Sequence, residues 1–239
     1  MKGIEEIISS IDSNFPNINP TVIYNEGWMS RLLVKQSLIE KSKVKGLDFS
    51  KISNWTSEAL ISSPFVQANT HREGYTHADI ALGDFVVEFN RRGDININDD
   101  ANIFGIIEAK MGSNLSQGTT HIKSYNQATR NLACISSQTY NNNCQIFFFV
   151  VAPKSILIKH RIAEQIELKN MIQQIENRYS IYLDDSISKL NMDLIIAKAQ
   201  SCLIQSLSYE EWIDAIISPE PKEFLQDFYN KAKKWNRIK

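Results

Sequence analysis

The chain has 239 residues, 43% of them hydrophobic and 22% charged, enough apolar material for one large core and too much for a disordered chain. Its 26 Lys and Arg against 27 Asp and Glu give a formal net charge of −1, which excludes attachment to nucleic acid by bulk positive charge and leaves only a local basic groove. Three cysteines, Cys134, Cys144 and Cys202, form no CxxC pair, so no disulfide scaffold is expected and a reducing cytoplasm suits all three. The longest apolar run, Ile146 to Ala152, falls far short of the roughly 20 residues that span a bilayer. Glu5 and Glu6 interrupt any leader segment, so a cytoplasmic protein with no membrane partner is expected.

Along the chain, the opening 20 residues carry a short helical pattern punctuated by Pro16 and Pro20. From Thr21, read as an N-cap, to about Lys43 the pattern is helical, with Met29, Leu32 and Leu33 at i, i+3, i+4. Leu60 to Phe65 reads as a short strand. His77 to Leu82 and Phe85 to Phe89 are β-prone runs separated by Gly83-Asp84, the signal of a two-residue II′ hairpin. Asn90 to Asn102 reads as a polar loop, Ile103 to Lys110 as a buried strand, and Met111 to Thr120 as a Gly/Ser-rich loop. An amphipathic helix is predicted from Ile122 to about Gln138, and Gln145 to Ala152 is a continuous apolar strand closed by Pro153. Lys154 to Arg178 reads as one long helix, and the remainder as further helices parted near Pro219 and Pro221.

This order predicts an α/β protein with a central mixed sheet that begins in an antiparallel hairpin and carries helices on both faces. The Ile122 helix would be a right-handed crossover between parallel strands. One domain is expected, with a core over about residues 21–180. A helical extension over about 185–239 would cap that core or stand apart from it.

Strand geometry turns a short string into a candidate site. In Ile106-Ile107-Glu108-Ala109-Lys110, alternation points Glu108 and Lys110 the same way. A carboxylate and an ammonium ending a buried strand are costly to desolvate unless paired or used, although a Glu and a Lys on a water-facing edge strand would look the same. Asp79, flanked by Ala78 and Ile80, would share a face with Ala81 and lie opposite Ile80 and Leu82. The 29 residues from Asp79 to Glu108 are enough chain to bring the two acids to neighbouring strands. From Glu73 to Glu108 there are eight acidic residues against only Arg91 and Arg92. Such a segment repels phosphate, and converging carboxylates in it suit a hard divalent cation such as Mg²⁺.

The array of Asp79 followed by Glu108-Ala109-Lys110 after an apolar strand resembles the PD-(D/E)xK phosphodiesterase superfamily, with its restriction-endonuclease-like fold. Thr76-His77-Ala78-Asp79 lacks the proline that names the motif, and the resemblance spans roughly residues 21 to 152. Glu26, opening the first long helix in Asn25-Glu26-Gly27-Trp28, matches an acidic residue that many members keep near the metal; a Glu in a first turn also serves the helix dipole. Gln127 matches the glutamine that several nuclease branches carry on the helix after the Glu-x-Lys strand. With Lys123 it resembles the start of Lys-x3-Gln-x3-Tyr, but Asn131 stands in the tyrosine position and reads as a helix-surface amide.

The resemblance implies a three-layer α/β/α core and DNA hydrolysis with Mg²⁺ or Mn²⁺. Asp79, Glu108 and the Ala109 carbonyl would ligate a metal, with Glu26 reaching a second ion or a bound water. Lys110 would position water or stabilise developing charge at phosphorus, and Gln127 would orient Lys110 or the water. A homodimer would allow double-strand cutting. DNA contact calls for local cationic surface, available between Pro20 and Lys45 (five basic, two acidic residues) and between Lys222 and Lys239 (six basic, two acidic). The Ser113 to His121 segment, His77 and His121 are candidate neighbours of the site. Two rival classes remain: a catalytically silent nuclease-like module binding DNA or protein, and a metal hydrolase for small phosphates.

Overall fold

The computed structural model describes residues 10–13, 17–91, 94–118, 122–123, 125–185 and 190–238. His121, most of the opening helical pattern and the end of the Ser113 to His121 segment lie outside the described residues.

Helix α1, Glu26–Glu40, starts where the Asn25 side chain accepts the Trp28 N–H and ends at Lys41 in the left-handed region. Two short strands, β1 (Lys43–Val44) and β2 (Leu47–Asp48), form a small hairpin. The main sheet then takes β3 (Asn54–Ser62), β4 (Tyr75–Gly83), β5 (Phe85–Glu88), β6 (Asp94–Ile97) and β7 (Ile103–Ala109). Helix α2 (Gln127–Thr139) leads to β8 (Gln145–Ala152). Helices α3 (Lys154–Lys159), α4 (Ile162–Gln165), α5 (Leu168–Asp185) and α6 (Met192–Gln200) lead to β9 (Leu203–Ser208). Helices α7 (Tyr209–Asp214) and α8 (Pro219–Trp235) follow.

The seven-stranded sheet runs β5-β6-β3-β4-β7-β8-β9 and is mixed. Strands β3, β4 and β7 pair antiparallel, whereas β7, β8 and β9 are parallel. One core layer joins Phe104, Ile106, Phe148 and Val150 to Leu132 and Ile135 of α2 and to Met171 and Ile175 of α5. On the opposite face, Ile80, Ile107, Phe147 and Phe149 meet Met29 and Leu33 of α1, Trp212 of α7 and Tyr229 of α8. Helices therefore cover both faces, as a sheet in which β8 is buried from Ile146 to Ala152 requires. Among the described residues no helix is long and apolar enough to cross a membrane.

Several expectations about the elements need correction, beginning with the cap of α1, which is Asn25 and not Thr21. The runs on either side of Gly83-Asp84 are not a hairpin: β4 lies between β3 and β7, and β5 pairs with β6 at the sheet edge. Gly83, at φ 134°, makes the exit from β4, where a Cβ would sit 2.1 Å from the Ile103 carbonyl. Asp84 pins that corner by accepting from Ser53 Oγ at 2.5 Å and Asn102 N–H at 2.8 Å. The supposed loop over 90–102 contains β6. The long helix over 154–178 is three helices, broken at Arg161, whose φ is 49°. The stretch past residue 185, expected to be helical throughout, supplies β9, so it belongs to the sheet rather than to an appendage.

Candidate active site

The register of β4 against β7 pairs Ile80 with Ile107. One step further along this antiparallel ladder brings Asp79 opposite Glu108. The two carboxyl groups lie close enough for each to act on the ionisation of the other. Asp79 Oδ2 also accepts the Ala109 N–H at 2.7 Å, which ties it to the end of β7. Lys110 Nζ stands 2.5 Å from Glu108 Oε1, and Gln127 Nε2, at the first turn of α2, donates to the same oxygen at 2.7 Å.

Asn131 completes the shell around Glu108. Its Nδ2 donates to Glu108 Oε2 at 3.1 Å, and its Oδ1 accepts from Thr76 Oγ1 at 2.6 Å. Both Asn131 and Glu108 are fully buried. The expectation of a helix-surface amide is therefore wrong at Asn131. The available signal was its i, i+4 spacing from Gln127, which puts both amides on one helix face. Lys123 instead lines a polar cavity of about 570 Å³ with Asn126, Gln173 and Gln174.

Strand β4 changes faces at the site. Ala78 packs on the α2 side and Thr76 bonds Asn131 there, whereas Ile80 and Leu82 pack on the α1 side. The β3–β4 register holds from Asn54↔Gly83 to Ser57↔Ile80 and from Ala59↔Ala78 to Ser62↔Tyr75, and omits Glu58 and Asp79. Glu58 sits in the left-handed region at φ 57°, a conformation costing a non-glycine residue about 1–2 kcal/mol. Strain of this kind concentrates at functional sites. Glu58 pairs with Arg31 of α1 at 3.1 Å, and its charge acts on Asp79. Nothing in the sequence marked Glu58 or Thr76.

The electrostatics follow from this crowding. Burial, then the neighbouring Asp79 charge, pushes Glu108 up to about 7 despite Lys110 and Asn131. Burial also raises Asp79, against the opposing pull of the Ala109 N–H and Lys110. For Lys110 burial disfavours the ammonium, but the charges of Glu108, Asp79 and Glu26 outweigh it and raise the group above its ordinary value. Lys110 is therefore a cation at neutral pH. Glu26 lies near enough to act on both Lys110 and Tyr209. His77, on the exposed side of β4, is not drawn into the cluster around Glu108.

Among the described residues no three His, Cys, Asp or Glu side chains gather as a metal-binding group. The donors that the site brings together are the buried Glu108 carboxyl and the half-buried Asp79 carboxyl. That set fits Mg²⁺, which is held by one or two carboxylates and completes its shell with waters and substrate phosphate oxygens. It fits also because burial raises both carboxyl groups, and a dication held there would favour their ionised forms. Compared with known proteins, the chain matches no family model, no curated protein and no solved structure.

Proposed function

We propose that the protein is a Mg²⁺- or Mn²⁺-dependent phosphodiesterase acting on DNA, with a restriction-endonuclease-like core of the PD-(D/E)xK kind. The observation that carries this reading is the convergence of Asp79 and Glu108 from neighbouring strands, with the Lys110 amine 2.5 Å from Glu108. When bound, a divalent ion supplies charge to the phosphate and lowers the pKa of water. Asp79, Glu108 and the Ala109 carbonyl hold it. Glu26 and Glu58 add negative charge at the rim, which a bound cation offsets. Lys110, held beside Glu108, serves as a cation toward charge developing on phosphorus. Gln127 and Asn131 hold the Glu108 carboxylate in one orientation.

The test is cleavage of plasmid DNA with Mg²⁺. Wild type cuts, and Asp79→Ala or Glu108→Ala lowers the rate by at least about a hundredfold, the usual cost of removing one group from such a site. Equal cutting by wild type and both variants refutes the assignment. Binding without cutting by wild type favours the silent module instead.

A further inference from the structure

The C-terminal tail builds a second feature against the loop after β7. At the end of α8, Ile238 N–H bonds Lys233 O at 2.9 Å and Arg237 N–H bonds Lys234 O at 3.2 Å. Arg237 occupies the left-handed position of this cap at φ 56°, where glycine is the usual residue. Asn236 anchors the turn, its Nδ2 donating to Tyr24 O at 2.7 Å, two residues before Glu26. The tail then lies on the loop after β7: a Cβ on Gly112 would meet Ile238 Cδ1 at 2.8 Å. Between the tail, this loop and the start of α3 lies a cleft of about 680 Å³ lined by Gly112, Ser113, Ser155, Lys159 and Arg237. It presents two cations and, among the described residues, no carboxylate.

The position of the cleft follows from topology. Strands β7 and β8 are parallel, and the Lys110 N–H bonds the Val151 carbonyl at 2.8 Å. The loop leaving Lys110 and the turn into α3 therefore open at the same edge, the carboxyl end of parallel strands, where α/β sheets bind ligands. Gly112 is only two residues past Lys110, so the cleft opens on the loop that leaves the Glu108 strand.

We propose that this cleft receives a backbone phosphate of the DNA strand being cut, with Arg237 and Lys159 pairing its oxygens. The inference rests on the phosphodiesterase reading and gives the C-terminal helix a task in it. The acidic rim repels a strand, so a cationic seat is needed to hold one. An arginine fork matches a phosphate in a way that a glycine, better suited to this backbone, does not.

The experiment measures binding of a fluorescent duplex of about 20 base pairs in EDTA, between about 50 and 200 mM NaCl. Arg237→Gly relieves the left-handed backbone, so it melts at or above the wild-type temperature. It binds the duplex about three- to tenfold more weakly, with a salt slope shallower by about one. Lys159→Ala behaves alike, and Arg237→Lys recovers most of the affinity. Unchanged affinity and slope in both Arg237→Gly and Lys159→Ala overturn the proposal. So does stabilisation of wild type but not Arg237→Gly by inorganic phosphate with equal DNA binding, which marks a free-anion site. A wild type that binds the duplex yet never cuts it with Mg²⁺ overturns the nuclease reading, while the salt comparison still decides the cleft.

Discussion

Glu108 carries the densest set of contacts in the site, and its chemistry can be read through stability as well as through cleavage. Without a divalent ion, folded Glu108 holds its proton up to about pH 7, whereas an ordinary glutamate releases it near 4.5. Below pH 4.5 both states are protonated. Between 4.5 and 7 the unfolded chain has lost the proton and the folded chain has not, so stability falls as pH rises through that window. The raised Asp79 acts in the same direction. In EDTA, denaturant titrations should show a loss on the order of 2–3 kcal/mol from pH 4.5 to 7, and Glu108→Gln should flatten it. A Glu108→Gln profile as steep as wild type contradicts the assignment of the proton to this site. Asn131 is the second residue to probe. Asn131→Ala leaves Thr76 Oγ1 and Glu108 Oε2 each short of a buried partner, and a shift in urea midpoint equivalent to about 2–3 kcal/mol is expected.

At the scale of elements, the connection into β4 is held by charge rather than by apolar packing alone. Glu73, nearly buried, accepts from Arg178 Nε of α5 at 2.7 Å and from Ser63 Oγ at 3.0 Å, with Arg130 of α2 at 3.6 Å. Arg178 also donates to His71 O at 2.5 Å and lies 4.3 Å above the Phe65 ring. This network straps residues 63–73 to α5 and so sets where β4, and with it Asp79, enters the sheet. Arg178→Ala abandons a buried carboxylate, and a loss of about 3–5 kcal/mol is expected in thermal or chemical unfolding. A loss under about 1 kcal/mol means that the strap contributes little. Helix α1 is joined to α8 in a similar way: the Glu40 carboxylate accepts the Ile217 and Ser218 N–H groups at 2.8 and 3.0 Å, just before α8 begins.

For the whole molecule, the acidic site makes the divalent ion a structural partner as well as a chemical one. An ion that binds only the folded state at a hundred times its Kd adds about 2.7 kcal/mol, and for a chain of this length that amounts to roughly 5–10 °C in Tm. Mn²⁺ should therefore raise the melting temperature of wild type, and the rise should vanish in Asp79→Asn and Glu108→Gln. Equal shifts in all three proteins place the ion elsewhere. The near-neutral chain, at a net −1, leaves DNA contact to local surfaces such as the Arg237 cleft rather than to overall charge.

The amino-acid sequence by itself determined the elements that local pattern specifies. The unbroken apolar run Ile146–Ala152 reads as a strand buried on both faces, and Glu108-x-Lys110 at the end of a second such run placed a carboxylate and an amine on one side. Tertiary structure alone decided the rest. Strand β9 reads Leu-Ile-Gln-Ser-Leu-Ser, too polar to announce itself, and exists because β8 offers it an edge to pair with. Gly83-Asp84 has the letters of a hairpin, yet β4 pairs with β3 and β7 while β5 pairs with β6 at the edge. Asn131 was marked only by its i, i+4 spacing from Gln127, whereas Thr76 and Glu58 joined the site through long-range pairing and a face switch at Asp79. These leave no local signature, because each depends on chain brought in from a distance.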